Sequence, residues 1–237
     1  MQKENKKINS IIKAYDHLTK GINKTAETGI DGRAYGGIIR AGKGEMVESI
    51  AAEIVKLAWE ELEQNSDRLT IDKKKIKLPL KKDYIKKIKN PEVKQYILKN
   101  LDNYNFPLGV DLHVSVDKKF VLAIECKAYA ENAMIKRILV DFSLLHEIFP
   151  KADFILFQLE SQLGGDYSEL KNITFGSPST HTLLSYFDID LNIITLLKGE
   201  RKVDKPIHKK QYYKPLEKEA IWQVVKCVKD ILQKYKN

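Results

Sequence analysis

From Val110 to Lys127 the chain changes period, and that change constrains the fold more than any other feature. Val110, Leu112, Val114 and Val116 alternate with Asp111, His113 and Ser115, the two-residue repeat of a strand with one apolar face. Asp117-Lys118-Lys119 can turn the chain, and Phe120 to Lys127 reads as a second strand, nearly continuously apolar at its start. The two runs predict a β-hairpin with one strand well buried.

Helical spacing surrounds the hairpin. Ile8 to Leu18 predicts a short helix. Glu45 to Leu62 predicts a longer one, with Val47, Ile50, Ala51, Ile54 and Ala58 on one face and acidic residues in its first turn. The stretch between them, through Arg33, Tyr35, Gly36, Gly37, Arg40 and Lys43, reads as an exposed arm or loop. Asn90-Pro91 ends one short amphipathic segment and starts another that runs to about Leu101. After the hairpin, Glu131 to Phe149 predicts an amphipathic helix stopped by Pro150, and Phe154 to Leu159 a buried strand. Residues 160–180 read as a long loop. Thr182 to Phe187 predicts a short helix, Leu191 to Leu197 a strand, and Leu216 to Tyr235 a C-terminal helix that packs on the core or forms a dimer face. The expected fold is α/β, a central mixed sheet flanked by helices with helical and loop additions. One domain spans 1–237: a core at about 43–160, an N-terminal arm at 1–42, a basic helical insertion at 63–105 and a C-terminal region at 160–237.

Composition narrows the partners. No apolar run approaches the roughly 18 residues of a membrane span, and the N-terminus lacks the apolar stretch of a secretory signal, so a soluble, cytoplasmic protein is expected. Cys126 and Cys227 are too few for a disulfide framework and lack zinc-type spacing. The five histidines are scattered. The chain carries a net charge of +9, and Lys73 to Lys99 accounts for all of it, with 11 lysines against Asp83 and Glu92. Such a block suits a polyanion, because lysines that neutralise phosphates release counterions. A lysine-rich proteome would give the same block without any ligand.

The hairpin also gathers chemistry. Glu125 and Lys127 lie two apart and share a strand face, and Asp111 lies on the partner strand near the open end. Two carboxylates and an ammonium can converge there. Ionised groups closing the apolar run Val121-Leu122-Ala123-Ile124 are costly unless paired or metal-bound. A carboxylate pair suits Mg²⁺, which takes carboxylate oxygens, water and substrate phosphate. A neighbouring lysine can orient water or stabilise charge on phosphorus. A plain Glu–Lys surface pair would also fit the spacing.

Gly109-Val110-Asp111 followed by Ile124-Glu125-Cys126-Lys127 resembles the motif of the PD-(D/E)XK nucleases, a superfamily that includes type II restriction endonucleases, Holliday-junction resolvases and repair nucleases. Val110 stands where the family has its proline. Lys43-Gly44-Glu45-Met46-Val47-Glu48 resembles the upstream Gly-x-x-x-Glu element and favours Glu48 as an additional metal-site acid, with Glu45 as the competitor. Both acids also suit the positive start of a helix. The resemblance covers about residues 43–160. It implies Mg²⁺-dependent hydrolysis of a DNA phosphodiester, with Asp111 and Glu125 on the metal and Lys127 on the attacking water.

The additions around the core resemble those of a restriction enzyme more than of a small resolvase. Arginine is the commonest partner of guanine, and Asn or Gln of adenine. With five arginines in the chain, Arg33, Arg40, Arg137 and Arg201 are candidates for contact with double-stranded DNA, together with Lys43. Asn132, Gln162, Asn172, Ser177, Ser179, Thr180 and His181 fall on loops or loop edges, where the same residue types also serve as caps. A palindromic target would match a homodimer. The alternatives are a structure-specific or repair nuclease, which would need branched or damaged DNA, and a non-catalytic basic DNA-binding protein, which would need neither metal nor Lys127. An RNA-binding module lacks its aromatic motif here.

Overall fold

The computed structural model describes residues 2–27, 32–168 and 176–236, and for 2–3 and 22–41 the backbone alone. Two helices open the chain, α1 (Gln2–Glu27) and α2 (Gly32–Glu61). Strands β1 (Leu69–Asp72) and β2 (Ile76–Pro79) follow, then α3 (Lys82–Lys87), α4 (Pro91–Lys99) and β3 (Asn105–Leu108). Next come the hairpin, β4 (Leu112–Val116) and β5 (Lys119–Ala130), α5 (Asn132–His146) and β6 (Asp153–Ser161). Helix α6 (Pro178–Leu184), β7 (Leu191–Thr195) and α7 (Lys218–Leu232) complete it.

The main sheet runs β1-β4-β5-β6-β7. It is antiparallel from β1 to β5 and parallel from β5 to β7, the expected mixed sheet. Helices cover both faces. On one, Val47, Ile50, Ala51, Ile54 and Ala58 of α2 are buried with Ile221, Val225 and Val228 of α7 and Tyr15 of α1. On the other, Ile135, Ile138, Leu139, Phe142 and Leu145 of α5 pack on Ala123, Phe154 and Leu156. The apolar face of α7 is therefore spent on α2 and the sheet. Strand β6, central and parallel, is buried along nearly its whole length, which explains its continuous apolar sequence. Among the described residues no helix is long and apolar enough to cross a membrane.

The hairpin turn forms at Asp117 and Lys118, both left-handed (φ 50° and 65°), the geometry that matches strand twist in a two-residue loop. Arg68 braces it: its guanidinium lies 2.7 Å from the Asp117 carboxylate, and its carbonyl accepts from the Asp117 N–H at 2.8 Å. The ladder between β4 and β5 ends at Leu112↔Ile124, so Asp111 stands one step past it, beside the point where β5 runs on toward Glu125 and Lys127 paired with β6 only.

Two expectations need correction. Residues 32–44 are helical, not a loop, and α1 is longer than Ile8 to Leu18. Glycines at 36, 37, 42 and 44 each cost a helix about 1 kcal/mol relative to Ala, but α2 is already nucleated and anchored by its buried half, and propagation is cheap. The insertion 63–105 is only partly helical: β1 joins the edge of the main sheet, and β2 pairs with β3 in a separate ribbon. Leu69, Ile71, Ile76 and Leu78 do alternate with polar residues, in runs too short and lysine-rich to stand out.

Candidate active site

Where the ladder ends, the next β5 amide facing β4 lacks a backbone partner, and a buried N–H must find an acceptor. The Asp111 carboxylate supplies it: Oδ2 accepts from the Cys126 N–H at 2.7 Å. That bond fixes the acid against β5. Lys127, two residues past Glu125, directs its ammonium back between the two carboxylates. Nζ donates to Glu125 Oε1 at 2.6 Å, to the Cys126 carbonyl at 3.0 Å and to Asp111 Oδ2 at 3.1 Å. All three side chains are half-buried, 20–29% exposed, so water screens the pairings only in part.

The charges reflect this crowding. Burial pushes the Glu125 carboxyl above its usual range; Lys127 pulls it back and Asp111 pushes it further up. Burial alone would lower the Lys127 ammonium, but Glu125 and Asp111 outweigh it and the net shift is upward. Burial holds the Cys126 thiol well above its ordinary value, with Asp111 and Glu48 adding to the effect. The Cys126 side chain is an inert part of the core.

Glu48 lies on the first buried turns of α2 and forms an ion pair with Lys73. That hydrogen bond raises the Lys73 ammonium above its ordinary value, and Asp111 adds to the effect, which puts Lys73 within electrostatic reach of both acids. Glu45, one turn earlier, is exposed, and its backbone carbonyl accepts from Ser49. The geometry brings Asp111, Glu125 and Lys127 together, with Glu48 alongside through Lys73. Lys73 was legible only as the first lysine of the basic block. Asp141 on α5 also feels Lys127: burial raises its carboxyl, and Arg137 and Lys127 pull it down.

The other candidates divide. Arg137 is exposed on α5, 3.9 Å from Asp141; Ser179 and His181 are exposed on α6. Lys43 is half-buried, and burial lowers its ammonium against the pull of Glu160. Arg201 lies over the Tyr129 ring, 3.8 Å from its centroid, and donates to Gln162. Thr180 is a correction. It is fully buried, and its hydroxyl binds the Leu163 carbonyl and Asn132 Oδ1 beside Ser177. Ser177 caps α6. With Asn132 they tie α6 to α5, so the buried Thr180 hydroxyl is already engaged within the protein. Arg33 and Arg40 lie on the α2 backbone with side chains outside the described residues, and Asn172 lies outside them altogether.

A mixed sheet flanked by helices, with an acid at the head of β4 and Glu-x-Lys on β5, has the architecture of the PD-(D/E)XK nucleases. No family model matches the chain. Over 193 residues, 81% of this chain and 80% of the relative, it is 54% identical to the type II restriction enzyme DdeI of Desulfomicrobium norvegicum. The chain belongs to the type II restriction endonucleases, enzymes that cut DNA at a specific sequence. That kinship selects among the readings of the basic chain: the resolvase-like nuclease, the non-catalytic DNA binder and the RNA-binding module give way to the restriction enzyme.

Proposed function

We propose that the chain makes Mg²⁺-dependent double-strand cuts at a short sequence by hydrolysing a phosphodiester, with Asp111 and Glu125 as the metal-holding acids and Lys127 beside them. The convergence of these three side chains at the open end of the hairpin carries the reading. Among the described residues no group of three or more His, Cys, Asp and Glu is gathered into a ready-made cage. Mg²⁺ does not require one, because it is held by one or two carboxylates and fills its remaining positions with water and substrate phosphate. The donors fit such an ion: both are carboxylates, and both already converge on a cation, the Lys127 ammonium. Bound there, the ion would polarise the phosphate and stabilise the leaving oxygen.

The protein's own groups do the rest. The Cys126 amide holds Asp111 in place. Lys127 orients the attacking water and offsets charge building on the phosphate oxygens, while the water oxygen bonds to phosphorus and gives up its proton to solvent, and the bond to the leaving oxygen breaks as that oxygen takes up a proton from solvent. Glu48 serves as a further metal-site acid once Lys73 turns toward DNA. Arg33, Arg40, Lys43, Arg137, Ser179, His181 and Arg201 form the candidate contacts to double-stranded DNA. The segments 1–42, 63–105 and 160–237 supply recognition and assembly around the 43–160 core. A homodimer acting in the cytoplasm would match a palindromic target by two-fold symmetry.

Digestion of plasmid and phage DNA with Mg²⁺ or with EDTA tests the reading. Discrete fragments that need Mg²⁺ and share one end sequence are expected. A smear, or full cutting in EDTA, would overturn it.

A further inference from the structure

A second polar constellation stands beside the proposed active site, and it is built with unusual care. Tyr129 follows Lys127 by two residues on β5, so its ring stands about 7 Å further along the same strand. The Arg201 guanidinium lies on that ring at 3.8 Å, and its Nη1 donates to the Gln162 side-chain carbonyl. The close approach to the Tyr129 ring and the Gln162 bond hold the guanidinium from two sides and restrain its orientation.

The backbone that carries Arg201 is held just as firmly. Its own N–H donates to the Ser161 carbonyl at 2.7 Å, in line with the end of β6. Gly199 sits at φ +76°, a conformation side chains resist, and its N–H donates to Asp166 Oδ2 at 2.7 Å. Glu200 Oε1 accepts from the Gly164 N–H at 2.9 Å. Lys214 closes the cluster: its Nζ donates to the carbonyls of Gly199 and Glu200 at 3.2 and 3.3 Å and lies 3.0 Å from the buried carboxylate of Glu160. A solvated surface arginine needs none of this.

We propose that Arg201 is a specificity-determining residue, which presents its N–H pair to the O6 and N7 acceptors of a guanine next to the cut. The inference rests on the nuclease reading above. An arginine fork matches either of two acceptor pairs on DNA, the guanine edge or two phosphate oxygens. The restrained orientation decides between them. Phosphate oxygens accept from many directions, whereas a base edge in the groove accepts only in the plane of its ring. Tyr129 and Gln162 are positioning residues for this contact.

The test uses the full-length protein with Mg²⁺ and duplexes carrying its mapped cleavage site. Each guanine is replaced in turn by 7-deazaguanine, which lacks the N7 acceptor, and single-turnover cutting is compared for wild type, Arg201→Met and Gln162→Leu. One guanine is expected at which the replacement slows wild type about tenfold. Arg201→Met should slow cutting of the unmodified duplex by about tenfold or more and feel no further loss from that replacement. Gln162→Leu should show a partial loss at the same guanine, and it keeps the test open if Arg201→Met fails to fold. A replacement penalty as large in Arg201→Met as in wild type, or wild-type cutting insensitive to every replacement, would overturn the inference and leave the nuclease reading standing. A wild-type protein that cuts no DNA with Mg²⁺ would overturn both.

Discussion

Asp111 and Cys126 are joined by a single hydrogen bond, from the Cys126 amide to Asp111 Oδ2 at 2.7 Å, at the step where the β4–β5 ladder stops. A backbone amide left over by the sheet thus aims a carboxylate. The acid is held in place by strand pairing, and the residue between Glu125 and Lys127 contributes through its main chain while its side chain is buried in the core.

If Glu48 helps to hold the metal, Glu48→Gln should raise the Mg²⁺ concentration needed for half-maximal cutting severalfold, and Glu45→Gln should leave it unchanged. Cleavage rates across a Mg²⁺ titration measure both. Equal effects of the two variants would place the contribution in the general negative charge of this part of α2 instead.

The Thr180 hydroxyl joins α6 to Asn132 of α5 and to the Leu163 carbonyl. Thr180→Val should leave the part-buried Asn132 amide oxygen without its hydroxyl donor, reduce the Leu163 carbonyl to its bond from the Ser177 N–H, and destabilise the fold by about 1–3 kcal/mol. Cutting at the same sequence should persist at a temperature where the variant is folded. Denaturant unfolding and fragment mapping report the two halves, and a changed target sequence at full stability would assign Thr180 to recognition.

Burial lowers the pKa of His113, although Asp72 at 3.8 Å pulls the other way; burial wins. The neutral ring also accepts the Val110 N–H on Nε2 at 3.3 Å. The unfolded chain takes up this proton near the ordinary histidine value of about 6.5, and the folded chain only at lower pH. The stabilisation is complete above that value and is lost as pH falls through the depressed folded value. Thermal midpoints in wild type should therefore drop as pH falls below about 6.5 more steeply than in His113→Gln, which cannot titrate there. Parallel curves would refute it.

The hairpin was legible in sequence because its alternation is strong and its apolar strand is bounded by charges, and with it came the convergence of Asp111, Glu125 and Lys127. Helices α5 and α7 were legible by the same logic at period 3.6. What escaped had weak local signals. The glycines before Glu45 hid the first turns of α2, four-residue strands among lysines hid β1 and β2, and β3 is as short and holds a proline, Pro107. Pairings made only by the fold were beyond reach: Lys73 lies 25 residues from Glu48, and the Arg201 stack on Tyr129 joins segments that no local pattern connects. Thr180 read as a loop hydroxyl because nothing in its neighbourhood records that it is covered by α5.

The most direct measurement is single-turnover cleavage of a duplex carrying the mapped site, with Mg²⁺, by wild type, Asp111→Asn and Lys127→Ala, alongside binding of the same duplex by each. If Asp111 and Lys127 act in the reaction, both variants should bind DNA with near wild-type affinity and cut at least about a hundredfold more slowly. Either variant cutting at the wild-type rate would contradict the account and place the chemistry elsewhere on the chain.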